Sequence, residues 1–182
     1  GRPRVERVAH VEIVNVDADL FLSRLGGRYD VVIADFPDPN AVELVKLYSK
    51  EFYLKLRRRV APGGVVAVQA TSPYHARDAF VMIRRTMEAA GWSTLPYHDN
   101  VPSFGDWGWI IGSAGEGDLP ARARAVTAFA VPTRYLTPEV FHASLAFGKG
   151  GLEPSPAYAG RINTRMSPAL LHAYVSEGWK VD

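Results

Sequence analysis

The 182 residues include no cysteine, which excludes disulfides, thiolate metal sites and cysteine nucleophiles together. A reducing cytoplasm is the location that fits this composition. An excess of one charge is also missing. The 21 basic and 19 acidic residues leave a formal net charge of +2, so no overall field draws the protein to nucleic acid or to an acidic membrane. The basic run Arg57-Arg58-Arg59 is better read as a solvated helix end that complements the dipole than as a binding patch. No apolar run approaches the roughly 18 residues of a membrane span, and Gly1-Arg2-Pro3-Arg4 lacks the apolar region of a secretory signal. The chain as given therefore reads as soluble. Its five histidines, His10, His75, His98, His142 and His172, have no ligand-type spacing, so no metal site is expected.

What is present is an ordinary globular composition, 47% hydrophobic and 22% charged, enough for one core with an appendage. Val11-Glu12-Ile13-Val14-Asn15-Val16 alternates at period two and predicts a strand that runs into a helix start at Asp17-Ala18-Asp19. A short helix over 20–25 is closed by Gly26-Gly27. The continuously apolar run over 29–34 predicts a parallel strand covered on both faces. Asn40, with Glu43 at the capping-box position, predicts the start of a helix carrying Leu44, Leu47, Tyr48, Phe52 and Leu56 at helical spacing, stopped by Ala61-Pro62-Gly63-Gly64. A buried strand over 65–70, a helix over 77–90 ended by Gly91, and two closing strands over 93–98 and 107–112 complete an order of β-α-β-α-β-α-β-β. The polar, glycine-bearing stretch 114–118 separates residues 1–113 from a helical appendage over 119–182. There, Thr137-Pro138 and Ser167-Pro168 start two short helices, and 148–165 reads as a surface loop.

The chemistry concentrates after the strand at 29–34. Asp35-Phe36-Pro37-Asp38-Pro39-Asn40 places two carboxylates just beyond a strand's carboxyl end, where open α/β sheets bind ligands. Asp17 and Gln69 stand at the ends of two further strands. Such a rim suits a cationic or polyhydroxylated ligand, and a pair of carboxylates can hold an ammonium group and take a proton from it. The same residues also make a turn and a helix cap, and pattern alone does not separate the two readings. Phe104, Trp107 and Trp109, with Tyr97 and Tyr74, either wall a pocket for a methylene chain with cationic ends or belong to the core. Asp106 is a candidate third carboxylate at the same mouth.

Tyr29-Asp30-Val31-Val32-Ile33-Ala34-Asp35-Phe36-Pro37-Asp38-Pro39, then Leu47-Tyr48-Ser49-Lys50-Glu51-Phe52-Tyr53, then Ala61-Pro62-Gly63-Gly64-Val65-Val66-Ala67-Val68-Gln69 resemble the polyamine aminopropyltransferases, the spermidine synthase family. Pro102-Ser103-Phe104 and Trp107-Gly108 look like that family's substrate loop, and the resemblance covers about residues 11–113. Gln69-Ala70-Thr71-Ser72-Pro73-Tyr74 and Glu177-Gly178-Trp179 look most like the bacterial branch whose members carry an N-terminal membrane domain. The resemblance implies a Rossmann-like, methyltransferase-like sheet. It also implies transfer of an aminopropyl group from decarboxylated S-adenosylmethionine, as co-substrate, to putrescine or a related amine, with no permanently bound cofactor. Under it Asp35 is the base, Asp38 anchors the amine, Gln69 and Phe104 line the amine channel, and Asp17 and Ala18 contact the nucleoside. A methyltransferase on the same fold and a catalytically silent polyamine-binding or assembly module are the competing functions.

Two departures from the family stand out. Tyrosine is usual where Phe104 stands, so one hydroxyl is absent. The family's sheet also begins with a strand, a glycine-rich nucleoside turn and a second strand, and no such glycine-rich segment precedes residue 60. In that sheet the absent strands lie between 11–16 and 29–34. The expectation is therefore a sheet lacking its first β-α-β half, with exposed edges that favour a longer parent protein or a homo-oligomer, and weak nucleoside binding by the chain itself.

Overall fold

A computed structural model describes residues 11–24, 26–115 and 117–177. The expected features at Gly1-Arg2-Pro3-Arg4, Leu25, Glu116 and Gly178-Trp179 lie outside the described residues. Runs of β-branched and aromatic residues become four strands of one sheet: β1 (Tyr29–Ala34), β2 (Val60–Gln69), β3 (Ser93–Val101) and β4 (Gly105–Ser113). Their order is β1-β2-β4-β3. β1 and β2 are parallel and the other two pairs antiparallel. The helix α1 (Ala18–Arg24) precedes β1, and α2 (Val42–Val45), α3 (Lys50–Arg57) and α4 (Arg77–Ala89) occupy the connections, which gives the expected α/β, Rossmann-like sheet, with no first β-α-β half among the described residues.

Several local expectations change. Residues 11–16 form no strand, and Val11 and Ile13 are 77% and 83% exposed. With no described strand alongside, their backbone groups have no ladder to join and their alternation buries nothing. β1 is the edge of the described sheet for the same reason: Val32 and Ala34 turn inward, whereas Tyr29, Val31 and Ile33 are exposed instead of covered. The helix expected from Asn40 divides into α2, a 3-10 turn (Lys46–Tyr48) and α3. Ser49 makes the break, since its extended backbone ends the turn and its hydroxyl accepts the Phe52 N–H at 3.2 Å, capping α3. Asn40 caps nothing; its N–H closes a turn onto the Asp38 carbonyl at 2.7 Å, and the cap position of α2 is Ala41. Ala61-Pro62-Gly63-Gly64 lies inside β2 as an irregularity, because Tyr29 pairs with Val60 but Val31 already pairs with Val65.

The core forms where α3, α4 and the sheet meet, with Tyr48, Phe52, Phe80, Ile83, Val66 and Ile110 essentially inaccessible. After β4 come α5 (Leu119–Arg124), α6 (Pro138–Ser144), whose first turn is capped by Thr137 as expected, and α7 (Ala169–Glu177). Leu170 and Ala173 of α7 are fully buried in the same core cluster. The segment 148–165 is the surface loop expected, with only Asn163 buried, but it is pinned to the core at two points. Ser155 donates through its N–H and its hydroxyl to the buried Asp78 carboxylate, both at 2.6 Å. Asn163, fully buried, gives its side-chain N–H to the Val45 carbonyl and its backbone N–H to the Thr86 hydroxyl, both at 2.9 Å. Each bond satisfies a group that would be costly to bury alone. No helix among the described residues is long and apolar enough to cross a membrane.

Candidate active site

The loop after β1 is held from beneath. Phe36 packs edge-on against Phe52 and Tyr48, with ring centroids 5.5 and 6.1 Å apart, and Pro39 is buried. Asp35, Phe36, Pro37 and Asp38 then form one wall of a cleft of about 380 Å³, completed by Gln69 from the end of β2 and by Val101, Phe104, Trp107 and Trp109 from the β3–β4 hairpin. Four of the six expected site residues, Asp35, Asp38, Gln69 and Phe104, thus come together at one sheet end.

The two carboxylates differ in their surroundings. Asp35 is exposed and its carboxylate has no hydrogen-bond partner among the described residues. Asp38 is half-buried and engaged on both oxygens: the Gln69 side-chain N–H donates to Oδ1 at 2.7 Å and the Tyr174 hydroxyl donates to Oδ2 at 2.8 Å. Behind Gln69, the buried Tyr48 hydroxyl donates to its Oε1 at 2.8 Å and has the Pro37 and Phe36 carbonyls within reach at 2.9 and 3.3 Å. Burial pushes the Tyr48 hydroxyl far above its ordinary pKa, and the Asp38, Asp35 and Tyr174 groups add to this. Burial raises Tyr174 as well, helped by its bond to Asp38. Both phenols therefore stay protonated and act as donors towards the carboxylate side.

The aromatic wall is set by the pairing of β2 with β4. Gln69 pairs with Trp109, and beyond the strand Ala70 donates to the Gly108 carbonyl at 2.9 Å while Gly108 donates to the Thr71 carbonyl at 2.8 Å. Thr71, buried, holds a φ of +63°, a sparsely populated region for a β-branched residue. Gly108 is required by close approach, since a Cβ there would stand 2.5 Å from the Phe80 ring. Trp107 and Trp109 then face the cleft, Trp109 stacked on Tyr97 and Trp107 tilted against Phe104. Pleat alternation sends Asp106 to the other face, where it meets His98 Nδ1 at 2.6 Å, so it does not join the mouth as expected. Tyr74 is 76% exposed and is not among the residues that line the cleft.

Asp17 and Ala18 do not line this cleft. They begin α1, where the Asp17 carboxylate accepts the Leu20 N–H at 3.0 Å and pairs with Lys46 at 2.7 Å. The Lys46 bond is the main reason its carboxyl sits below the usual range. Among the described residues no group of three or more His, Asp or Glu side chains could hold a metal ion.

Comparison with known proteins decides the family. The spermine/spermidine synthase domain matches residues 6–121. The chain belongs to this family. Similar proteins of the spermine/spermidine synthase family include a polyamine aminopropyltransferase of Oceanobacillus iheyensis, 39% identical over 170 residues that make up 93% of this chain and 32% of that protein. Polyamine aminopropyltransferase 2 of Ralstonia nicotianae is 39% identical over 169 residues, 93% of this chain and 31% of that protein. The chain therefore spans about a third of the length of the relatives it matches. Among solved structures, the spermidine synthase of Thermotoga maritima aligns with a TM-score of 0.62 at 23% identity, over 78% of this chain and 49% of that one, and shares the fold. A spermidine synthase in complex with the transition-state analogue AdoDATO aligns with a TM-score of 0.63 at 25% identity, over 78% of this chain and 50% of that one.

Around this cleft, sequence reasoning misses two residues. Tyr48 reads as part of an apolar helical stripe; the signal is that a tyrosine, not a phenylalanine, stands at a buried position, which requires a partner for its hydroxyl. Tyr174 carries no local signal at all, since it lies 136 residues from Asp38.

Proposed function

We propose that the cleft is the amine side of an aminopropyl-transfer site, accepting putrescine or a related diamine, with decarboxylated S-adenosylmethionine as the donor. The observation that carries this reading is the pair of unlike carboxylates in an aromatic-walled cleft: Asp38 fixed by two donors, Asp35 exposed and unpaired. A fixed carboxylate suits an anchor for one ammonium group, and the Phe104, Trp107 and Trp109 rings suit a methylene chain with cationic ends. The free carboxylate suits a base. An alkylamine with a pKa near 10 is unprotonated to only about one part in a thousand at neutral pH, so a proton must leave before the nitrogen attacks.

In this scheme Asp35 takes a proton from the second ammonium group. The nitrogen lone pair attacks the methylene carbon bonded to the sulfonium, the carbon–sulfur bond breaks, and its electron pair goes to sulfur. The products are spermidine, or its analogue, and methylthioadenosine. The sulfonium leaves readily, so the protein's work is orientation and deprotonation. Gln69 and Phe104 line the amine path, and Asp17 and Ala18 are assigned to the nucleoside. The exposed row Tyr29, Val31 and Ile33 on edge strand β1 is assigned to association with a further strand, from a second copy or from a longer parent.

The test is to supply the 182-residue chain with a diamine and millimolar donor and follow methylthioadenosine. Turnover with decarboxylated S-adenosylmethionine that collapses in Asp35→Asn supports the reading. Consumption of S-adenosylmethionine instead indicates a methyltransferase, and diamine binding that neither leads to turnover nor responds to Asp35→Asn indicates a silent binding module.

A further inference from the structure

We infer that Tyr174, on the last helix, is a positioning residue for the Asp38 carboxylate and, through it, for the bound amine. This rests on the amine-site reading above. The geometry fixes the direction of every hydrogen in the chain of groups. An ionised carboxylate only accepts, so Gln69 must turn its N–H towards Asp38 Oδ1. Its Oε1 then faces Tyr48, which must donate to it. Tyr174 must likewise donate to Oδ2. Tyr48, Gln69, Asp38 and Tyr174 are thus one connected line of hydrogen bonds that ends on the Asp38 carboxylate.

Tyr174 sets what the other members leave open. The terminal torsion of an aspartate is broad and roughly two-fold, so one bond to Oδ1 leaves the carboxylate plane free to swing. A second donor on Oδ2, from a different element, α7, removes that freedom. The donor is itself well anchored: the neighbouring Leu170 and Ala173 of α7 are fully buried in the main core, and Asn163, just before the helix, is tied to Val45 and Thr86. Of the carboxylate's roughly four lone-pair sites, two are used and two remain for an ammonium group. The direction of those two follows from the carboxylate plane that Tyr174 holds.

The experiment compares the whole chain with its Tyr174→Phe and Tyr158→Phe variants. Tyr158 is on the same tail, but its hydroxyl meets Ser176 and not Asp38, so it controls for loss of a tyrosine hydroxyl. Two readouts are taken: the chemical shift of the Asp38 carboxyl carbon at neutral pH by carbon NMR, and the affinity for 1,4-diaminobutane by calorimetry. In Tyr174→Phe the Asp38 carboxyl resonance moves and the dissociation constant rises about tenfold, because a charge-assisted donor has gone. In Tyr158→Phe the resonance keeps its position and the dissociation constant stays within about twofold of the parent. An unmoved Asp38 resonance in Tyr174→Phe overturns the inference. A moved resonance with unchanged diamine affinity overturns its amine half. If the parent chain binds no diamine, both the amine-site reading and that half fail, while the resonance still decides the carboxylate contact.

Discussion

The two ends of the segment from Asp17 to Asp38 were organised to very different degrees. At Asp35–Asp38 the chain lies on Phe52 and Tyr48, and a hairpin and the last helix close over it. At 11–17 the chain is exposed, its alternating residues form no strand, and Asp17 is occupied by Lys46 and by the first turn of α1. Both ends carry residues that the sequence resemblance singled out. What separates them is the presence of packed neighbours: a loop keeps a functional geometry only where other elements over-determine it, and hydrogen bonds alone do not supply that at an exposed end.

The strongest way to break this contrast is at the cleft. Asp35→Asn should lower turnover by about 10²–10⁴-fold, the usual contribution of a general base, with diamine affinity far less affected. Asp30→Asn, an exposed change on the same strand, should stay within about threefold. Equal losses in the two variants would show that the cleft has no privileged carboxylate.

Next comes the support beneath the cleft. Leu170→Ala removes a fully buried side chain of α7 and should lower unfolding stability by about 2–5 kcal/mol, read from the shift in a urea midpoint. A change below about 0.5 kcal/mol would mean that the last helix is only draped on the core.

The weak end is probed by ligand. Calorimetry should detect 1,4-diaminobutane on the 182-residue chain but no micromolar binding of methylthioadenosine, since Asp17 is already paired and no glycine-rich turn precedes residue 60. Micromolar nucleoside binding would erase the contrast between the two ends.

The smallest effect concerns the hairpin that carries the aromatic wall. His98 touches the Asp106 carboxylate at 2.6 Å and the Ala146 carbonyl at 2.8 Å. Burial alone would lower its pKa, but the Ala146 and Asp106 hydrogen bonds outweigh it and leave the imidazole above its ordinary 6.5. Since the folded value is raised, the stabilisation is fully present below about pH 6.5 and is lost as pH rises through the folded value. The melting-temperature advantage of the parent over His98→Asn should therefore be larger at pH 6 than at pH 9; a constant advantage would remove the imidazolium from the account.

How much was legible in advance follows the range of the interactions. Thr137 before Pro138 marked a helix start correctly because a cap is a contact across three residues. The same reasoning failed at Asn40, whose N–H was taken up by a turn to Asp38, and at Ser49, which breaks a periodic run because its hydroxyl competes for the backbone. The acid pair, Gln69 and Phe104 were legible because they sit at strand ends and in a spaced series of motifs. The hold of Tyr174 on Asp38 was not, because that contact spans 136 residues.

By itself the sequence determined the order of strands and helices between 18 and 113, the acidic loop after β1 and the family motifs, all of which rest on local periodicity, turn chemistry and residue spacing. Only the tertiary structure decided that 11–16 stays unpaired, that β1 has an exposed face, that Asp106 turns away, and that Asp38 is fixed while Asp35 is free. Each of these depends on which distant segment lies alongside, and a hydrogen bond that spans 136 residues leaves no trace in the pattern around either partner.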